Sequence, residues 1–361
     1  MNILHLGVFD RNIGDNIALA HVEYSLNKYI GEVGVYKVNL ESFWRHDNSL
    51  EYTRSVYNQF VGKIDAILVG GGGLIEYSGY ENKKSGWKLP FWHETLKFIK
   101  VPIYYYGLGV NTFRGGEEYS EEAKKALTDT INHATAFSVR NDGSYEKLAN
   151  WIKLDKKTLS KVEVVPDPGL LHLDGFGIER KQTVTNLGFQ PAINVNSGIN
   201  IHRFGENGLS QLIKRFENTP SYPHTANDFL FGKPVVQRYE FLRHYKYFDK
   251  FHEFLYQYPK SDYVVSMRGH GQMITMGMNI PGIYLSSQDK VRDFSLLNGF
   301  KDYDVDMREE HWPEILEECI AKMTEPNSKY LENWYDIRDE FINDCHKIDE
   351  NWIKKHFDSI G

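Results

Sequence analysis

Short apolar runs that end in glycine alternate with longer amphipathic stretches through the first 170 residues. Ile3–Val8 reads as a strand, and after the polar turn Asp10–Asp15 the spacing predicts a helix over Asn16–Ile30. Val35–Val38 is a second strand candidate. Ile64–Val69 is a continuous apolar run closed by Gly70-Gly71-Gly72-Gly73, and Trp92–Ile99 has a helical pattern. Val101–Tyr106 is followed by Gly107-Leu108-Gly109-Val110-Asn111. Glu117–His133 is helical, Ala136–Val139 is a strand leading to Arg140, and Ser144 is placed to cap a helix over Tyr145–Leu154. Val162–Val165 runs into Pro166-Asp167-Pro168-Gly169. Strand and helix in this alternation imply a parallel sheet covered on both faces.

The pattern breaks between Leu173 and Leu187, where two glycines and four charged residues show no period, so the domain linker is expected there. A second α/β series follows: a strand at Ala192–Val195, a Gly- and Asn-rich loop at Asn196–Gly208, helices at Leu209–Phe216 and Asp249–Tyr258, strands at Tyr263–Met267 and Ile283–Leu285, and a helix at Asp289–Leu297. In the tail, Tyr330, Trp334, Ile337, Phe341, Cys345, Ile348 and Trp352 recur at spacings of four and three, one face of a long amphipathic helix. The expected organisation is a Rossmann-like domain over 1–175, a second over 185–325, and a helical tail over 327–358 packing on them. The length, 361 residues, agrees with two domains, since single cores stop growing at roughly 250–300 residues.

Composition changes this picture little. The net charge of −7 disfavours nucleic acid as a partner, so an anionic ligand would need locally placed arginines and backbone dipoles. Cys319 and Cys345 form neither a metal pattern nor a disulfide framework, which fits a reducing cytoplasm, although a bridge between them stays open. His5, His93, His202, His244 and His346 lack ligand spacing, and there is no H-x-x-x-H or C-x-x-C, so no metal is expected. No signal peptide or membrane-spanning run is visible.

Candidate chemistry gathers where strands end. Arg268-Gly269-His270-Gly271 directly follows Tyr263–Met267. An arginine there can grip a phosphate or carboxylate with its planar fork, a histidine two residues on can move a proton, and glycine lets backbone N–H groups approach an anion. The same segment also reads as a strand followed by a helix with a capping histidine. Gly14-Asp15-Asn16 is either a ligand-contacting turn or a capping turn with Asp15 or Asn16 as the cap. Gly70–Gly73 permits close approach of a ligand or of another backbone, and it lacks the Gly-Lys-Ser/Thr ending of a P-loop. Ser138-Val139-Arg140 sets a second arginine at a strand end. Alone it reads as an ion pair; paired with Arg268 across an interdomain cleft, it would help neutralise a small dianion. Tyr222-Pro223-His224 with Asp228 is a minor acid/base candidate.

Taken in order, the Gly14-Asp15-Asn16 turn, Gly70–Gly73, Tyr106-Gly107-Leu108-Gly109, Ser138-Val139-Arg140, Val165-Pro166-Asp167-Pro168 and Ser266–Gly271, followed by Ile280-Pro281-Gly282-Ile283 and Lys290, resemble the polysaccharide pyruvyl transferase family over roughly residues 1–300. The resemblance implies an α/β fold of two Rossmann-like domains facing a cleft, GT-B-like, here with the long C-terminal helix. It also implies transfer of a pyruvyl group from phosphoenolpyruvate to two hydroxyls of one sugar, forming a ketal and releasing phosphate. Phosphoenolpyruvate would be a co-substrate, with no cofactor and no metal. The acceptor would be a sugar or oligosaccharide, and a lipid-linked one would bring a cytoplasmic enzyme to the inner face of the membrane. A homo-oligomer is compatible with the aromatic tail. Carried onto this sequence, the catalytic set is His270, Arg268 and Arg140, and the substrate-binding set is Gly14, Asp15, Asn16, Gly72, Gly73, Asn111, Ser138 and Gly271. The chain departs from the frequent Asp-Arg-x-His form, because Ser266 and Met267 precede Arg268. The rival readings are a GT-B glycosyltransferase using a nucleotide sugar and a binding protein that keeps the cleft without the chemistry.

Overall fold

The computed structural model describes residues 1–10, 12–44, 49–76, 85, 87–88, 93–111, 119–192 and 208–358. The chain forms two compact units. The first comprises Met1–Phe9, Ala18–Pro168 and Cys345–Gly361; the second comprises Asp10–Ile17 and Gly169–Asp344.

In the first unit the strands are β1 (Asn2–Gly7), β2 (Gly34–Asn39), β3 (Ala66–Gly70), the short β4 (Ile75–Glu76), β5 (Ile103–Leu108), the short β6 (Val110–Asn111), β7 (Ala136–Arg140) and β8 (Val162–Val165). Six of them make a parallel sheet in the order β2-β1-β3-β5-β7-β8, while β4 pairs with β6. Alternate residues feed two cores, as the pleat requires. Leu4, Leu6, Ile67, Val69, Ile103 and Tyr105 lie in one. Ile3, Ala66, Leu68, Tyr104 and Tyr106 lie in the other, with Val22 and Leu26 of the first helix and with Trp352, Ile353 and Phe357 of the last. The central strands β1, β3, β5 and β7 are buried on both sides because both faces are covered, while the edge strands β2 and β8 are partly exposed.

The second unit repeats the design with β9 (Leu187–Gln190), β10 (Pro220–Ser221), β11 (Lys233–Pro234), β12 (Tyr263–Ser266), β13 (Gly282–Ser286) and β14 (Asp304–Asp306). The order is β11-β10-β9-β12-β13-β14, again parallel. From β9 the chain goes first to β10 on one side and later to β12 on the other. The carboxyl ends of β9 and β12 therefore flank a topological switch point, where ligands bind in open α/β sheets. The equivalent switch in the first unit lies between β1 and β3.

Several expectations need correction. The first helix begins at Ile13, and the turn before it is held by Asn12, whose Oδ1 accepts from the Gly14 N–H at 2.9 Å, so neither Asp15 nor Asn16 is its cap. Ser144 is the first residue of its helix, Ser144–Asn150, behind Gly143 with φ 80°, and its hydroxyl is spent elsewhere. The strand expected at Ala192–Val195 sits earlier, at Leu187–Gln190; Ala192 is outside it and 193–195 lie outside the described residues. The loop expected at Asn196–Gly208, except Gly208, and His202 also lie outside them. The last helix spans Lys329–Phe357, but its buried face carries Asp349 while Ile348 is 45% exposed. Among the described residues no helix is long and apolar enough to cross a membrane.

Candidate active site

Strand β12 ends at Ser266, and the helix Gly269–Gly277 starts three residues later with Arg268 as its N-cap residue in extended conformation. This short connection works because Gly271 has no side chain: a Cβ there would overlap Ser266 Oγ and Gln190 Oε1. Gln190, the last residue of β9, receives the Arg268 backbone N–H on Oε1 at 3.0 Å and the Ser266 hydroxyl at 3.1 Å. The two strand ends at the switch point are thus stitched together. The Arg268 guanidinium lies at their tip, its side chain 23% exposed. Nε donates to the Pro191 carbonyl at 3.2 Å, and Nη2 donates to Asp228 Oδ1 at 2.7 Å.

His270 occupies the second position of the same helix. Its ring lies over Gly14, where any Cβ would overlap it, and its Nδ1 is 3.8 Å from Asp15 Oδ1. Gly14, Asp15, Arg268, His270 and Gly271 are therefore brought together within the second unit. Asn16 is near in sequence but committed to structure: Oδ1 accepts from the Asp10 N–H at 3.1 Å, and Nδ2 donates to the Lys246 carbonyl at 2.8 Å. The Ile13 N–H donates to the His224 carbonyl at 3.2 Å. The His224 ring is fully buried against the Tyr258 hydroxyl, 2.7 Å from Nε2. Burial first, then the positive charge of Arg268 and His270, pushes its pKa well below the ordinary imidazole value, so it stays neutral.

In the first unit the strand-end residues also cluster, in a different chemical state. Arg140 is buried between two carboxylates, with Nε 2.6 Å from Asp142 Oδ2 and Nη1 3.0 Å from Asp167 Oδ2. Its guanidinium packs where a Cβ on Gly109 would be, 2.5 Å from Nη2. Asp142 also accepts from the Ser144 hydroxyl, which in turn accepts from the Val110 N–H at 2.8 Å. Arg140 is thus held by two side-chain carboxylates within its own unit. Ser138 is likewise occupied: its hydroxyl donates to the Tyr105 carbonyl and accepts from the Gly107 N–H, each at 3.1 Å, bridging the register shift between β5 and β7. Gly72 meets the backbone of Gly109 and Gly73 the side chain of Asn111. Gly109 N–H donates to the Gly72 carbonyl at 3.0 Å, and Asn111 Nδ2 donates to that of Gly73 at 3.0 Å. Gly71 and Gly72 have φ of 79° and 93°, so this approach needs glycine.

Sequence reasoning missed the partner each charged group has chosen. Asp15 was read for its backbone and proves to face His270; Asp228 was read beside His224 and proves to pair with Arg268. Forty residues separate Asp228 from Arg268, and no local spacing signals the pair. Among the described residues, no three metal-ligating side chains converge.

No curated protein matches the chain. Among solved structures, the S. aureus MnaA–UDP co-structure is similar over 95% of this chain and 97% of its own, with 10% identity and a TM-score of 0.51. It shows the fold alone, α/β of the GT-B kind. The UDP-GlcNAc 2-epimerase from Neisseria meningitidis bound to UDP-GlcNAc is similar over 96% of this chain and 100% of its own, with 14% identity and a TM-score of 0.49. The sequence model described as "Polysaccharide pyruvyl transferase" matches residues 12–289, which hold the Gly14–Asn16 turn, both arginines and His270. The chain belongs to the polysaccharide pyruvyl transferase family.

Proposed function

We propose that the protein transfers the pyruvyl group of phosphoenolpyruvate to two hydroxyls of one sugar in a polysaccharide or its lipid-linked precursor. The observation that carries this reading is the joint position of Arg268 and His270 at the switch point of the second unit, with Asp15 facing the imidazole. Arg268 and the first N–H groups of the helix Gly269–Gly277 supply positive potential for the donor's phosphate or carboxylate. His270, as imidazolium, donates its proton to the methylene carbon of the donor. The central carbon becomes oxocarbenium-like and a sugar hydroxyl attacks it. The C–O bond to phosphate breaks, the second hydroxyl closes the ketal, and the hydroxyl protons pass to neutral His270 and the departing phosphate. Asp15 is near enough to balance the imidazolium charge. Proton transfer of this kind supplies about 10²–10⁴ in rate. Arg140, flanked by two carboxylates, serves this reading as the organiser of the 107–111 turn rather than as a grip on the donor.

A nucleotide-sugar donor is the second reading, favoured by the UDP held in the S. aureus structure of similar fold. Titration calorimetry with phosphoenolpyruvate beside a panel of nucleotide sugars separates the two. The expected result is phosphoenolpyruvate binding that is weakened by about a hundredfold but still measurable in Arg268→Ala, and a His270→Ala protein that binds it but does not turn it over. Near-normal turnover by His270→Ala would sink the acid role. Binding of a nucleotide sugar alone would move the reaction to glycosyl transfer.

A further inference from the structure

Asp228 is fully buried, on the loop between β10 and β11. Its Oδ2 accepts from the backbone N–H of His224 at 3.0 Å and of Thr225 at 2.9 Å, which fixes the plane of the carboxylate. Its Oδ1 accepts from Arg268 Nη2 at 2.7 Å, and Thr225 Oγ1 lies 3.4 Å from the same nitrogen. On its other edge the guanidinium donates from Nε to the Pro191 carbonyl at 3.2 Å. The fork is therefore gripped at Nε and Nη2, on two sides, and among the described residues these grips leave the Nη1 arm for an incoming anion. Met267, the residue before Arg268, is fully buried and carries no charge. The chain has a carboxylate on this arginine after all, but it arrives from another loop.

Burying a carboxylate is costly unless it is paired and hydrogen-bonded, and Asp228 has both kinds of partner. An arginine pays rotamer entropy whenever it must find one geometry for a ligand. Held in advance, it spends none of the binding free energy on ordering itself. We propose that Asp228 is a positioning residue for donor binding: it acts through Arg268 by fixing the guanidinium plane at the tip of β12, and Thr225 assists at the same nitrogen. The proposal rests on the reading of this strand end as the site of an anionic donor.

The test is a double-mutant cycle on the full chain with Arg268→Ala, Asp228→Asn and the pair, read by phosphoenolpyruvate turnover and by calorimetric binding of phosphoenolpyruvate and of inorganic phosphate. Asp228→Asn should raise the donor KM at least tenfold while kcat changes less than threefold, and the double variant should be no worse than Arg268→Ala alone. Thr225→Val, which keeps the carboxylate, should raise the donor KM two- to fivefold; it carries the test if Asp228→Asn does not fold by circular dichroism. Unchanged KM in folded Asp228→Asn, or effects that simply multiply in the double variant, would overturn the proposal, as would unchanged KM in Thr225→Val where that variant carries the test. A wild type that binds phosphate but not phosphoenolpyruvate would overturn the donor assignment alone, and the cycle would then be read with phosphate. Binding of neither would overturn both.

Discussion

His224 holds a neutral imidazole fully buried beside two groups that carry positive charge. Its pKa is depressed on folding, so the unfolded chain takes up a proton as pH falls through about 6.5 while the folded one resists. More protons bound in the unfolded state means that stability falls as the solution is acidified from about 6.5, and levels off only once the folded imidazole also titrates. Urea denaturation between pH 5 and 8 should show this slope in the wild type and a flatter one in His224→Gln. An equal slope in both would assign the dependence to other groups. At this scale the sequence revealed the types of residue but not their pairings. The placement of Arg268 and His270 at a strand end was legible from the apolar run Tyr263–Met267 that leads into Arg-Gly-His-Gly. Asp228 was not, because ion pairing depends on where two loops meet in space. Arg140 was legible as a strand-end arginine, but its pairing with Asp142 and Asp167 was not.

The last helix shows how an element can mislead when read by apolar period alone. Trp334, Cys345 and Trp352 are buried as their spacing implies, yet the position expected of Ile348 is taken by Asp349, 1% exposed. Its carboxylate accepts from the Ser25 hydroxyl at 2.7 Å and from the Tyr106 hydroxyl, with His21 Nε2 at 3.5 Å. Burial raises its pKa, but the charge of His21 and these hydrogen bonds outweigh that and hold it below the usual carboxylate range. Asp349→Ala takes this acceptor from three buried groups and should cost about 3–5 kcal/mol. The expected readout is a melting midpoint lower by on the order of 10 °C; a shift under 2 °C would mean the network contributes nothing. Strand β9 was displaced in the sequence reading for a related reason. It is short, and Gly188 sits where a Cβ would meet Ser261 Oγ at 2.5 Å and the Tyr222 ring at 2.6 Å. Pairing with β10 and β12, rather than a long apolar run, makes that segment a strand. Strands β1, β2, β3, β5, β7, β8, β12 and β13 were found within about two residues, whereas the two- and three-residue strands β4, β6, β10, β11 and β14 carry too short an apolar pattern to be read.

For the whole molecule, neither unit is a continuous piece of chain. The second takes Asp10–Ile17 from between Phe9 and Ala18 of the first, and the first takes Cys345–Gly361 from after the second. Trp352, Ile353 and Phe357 complete a core that contains Ile3, Leu68, Tyr104 and Tyr106. Each buried side chain of this size is worth about 1.5–3 kcal/mol, so the three together approach the whole stability of a domain. Deleting residues 345–361 should therefore leave the first unit without a cooperative transition, seen as lost near-ultraviolet dichroism and as dye binding to exposed apolar surface. A sharp, native-like transition in that variant would refute this account. The same arrangement sets an order of events during synthesis. The sheet of the first unit is fully translated at Pro168, but its last covering side chains leave the ribosome only after Gly169–Asp344. At about 5–20 residues per second that interval is on the order of ten seconds or more. Throughout it, part of an apolar face waits on the growing chain, so completion of the first unit's core is tied to the arrival of a segment translated after the whole of Gly169–Asp344.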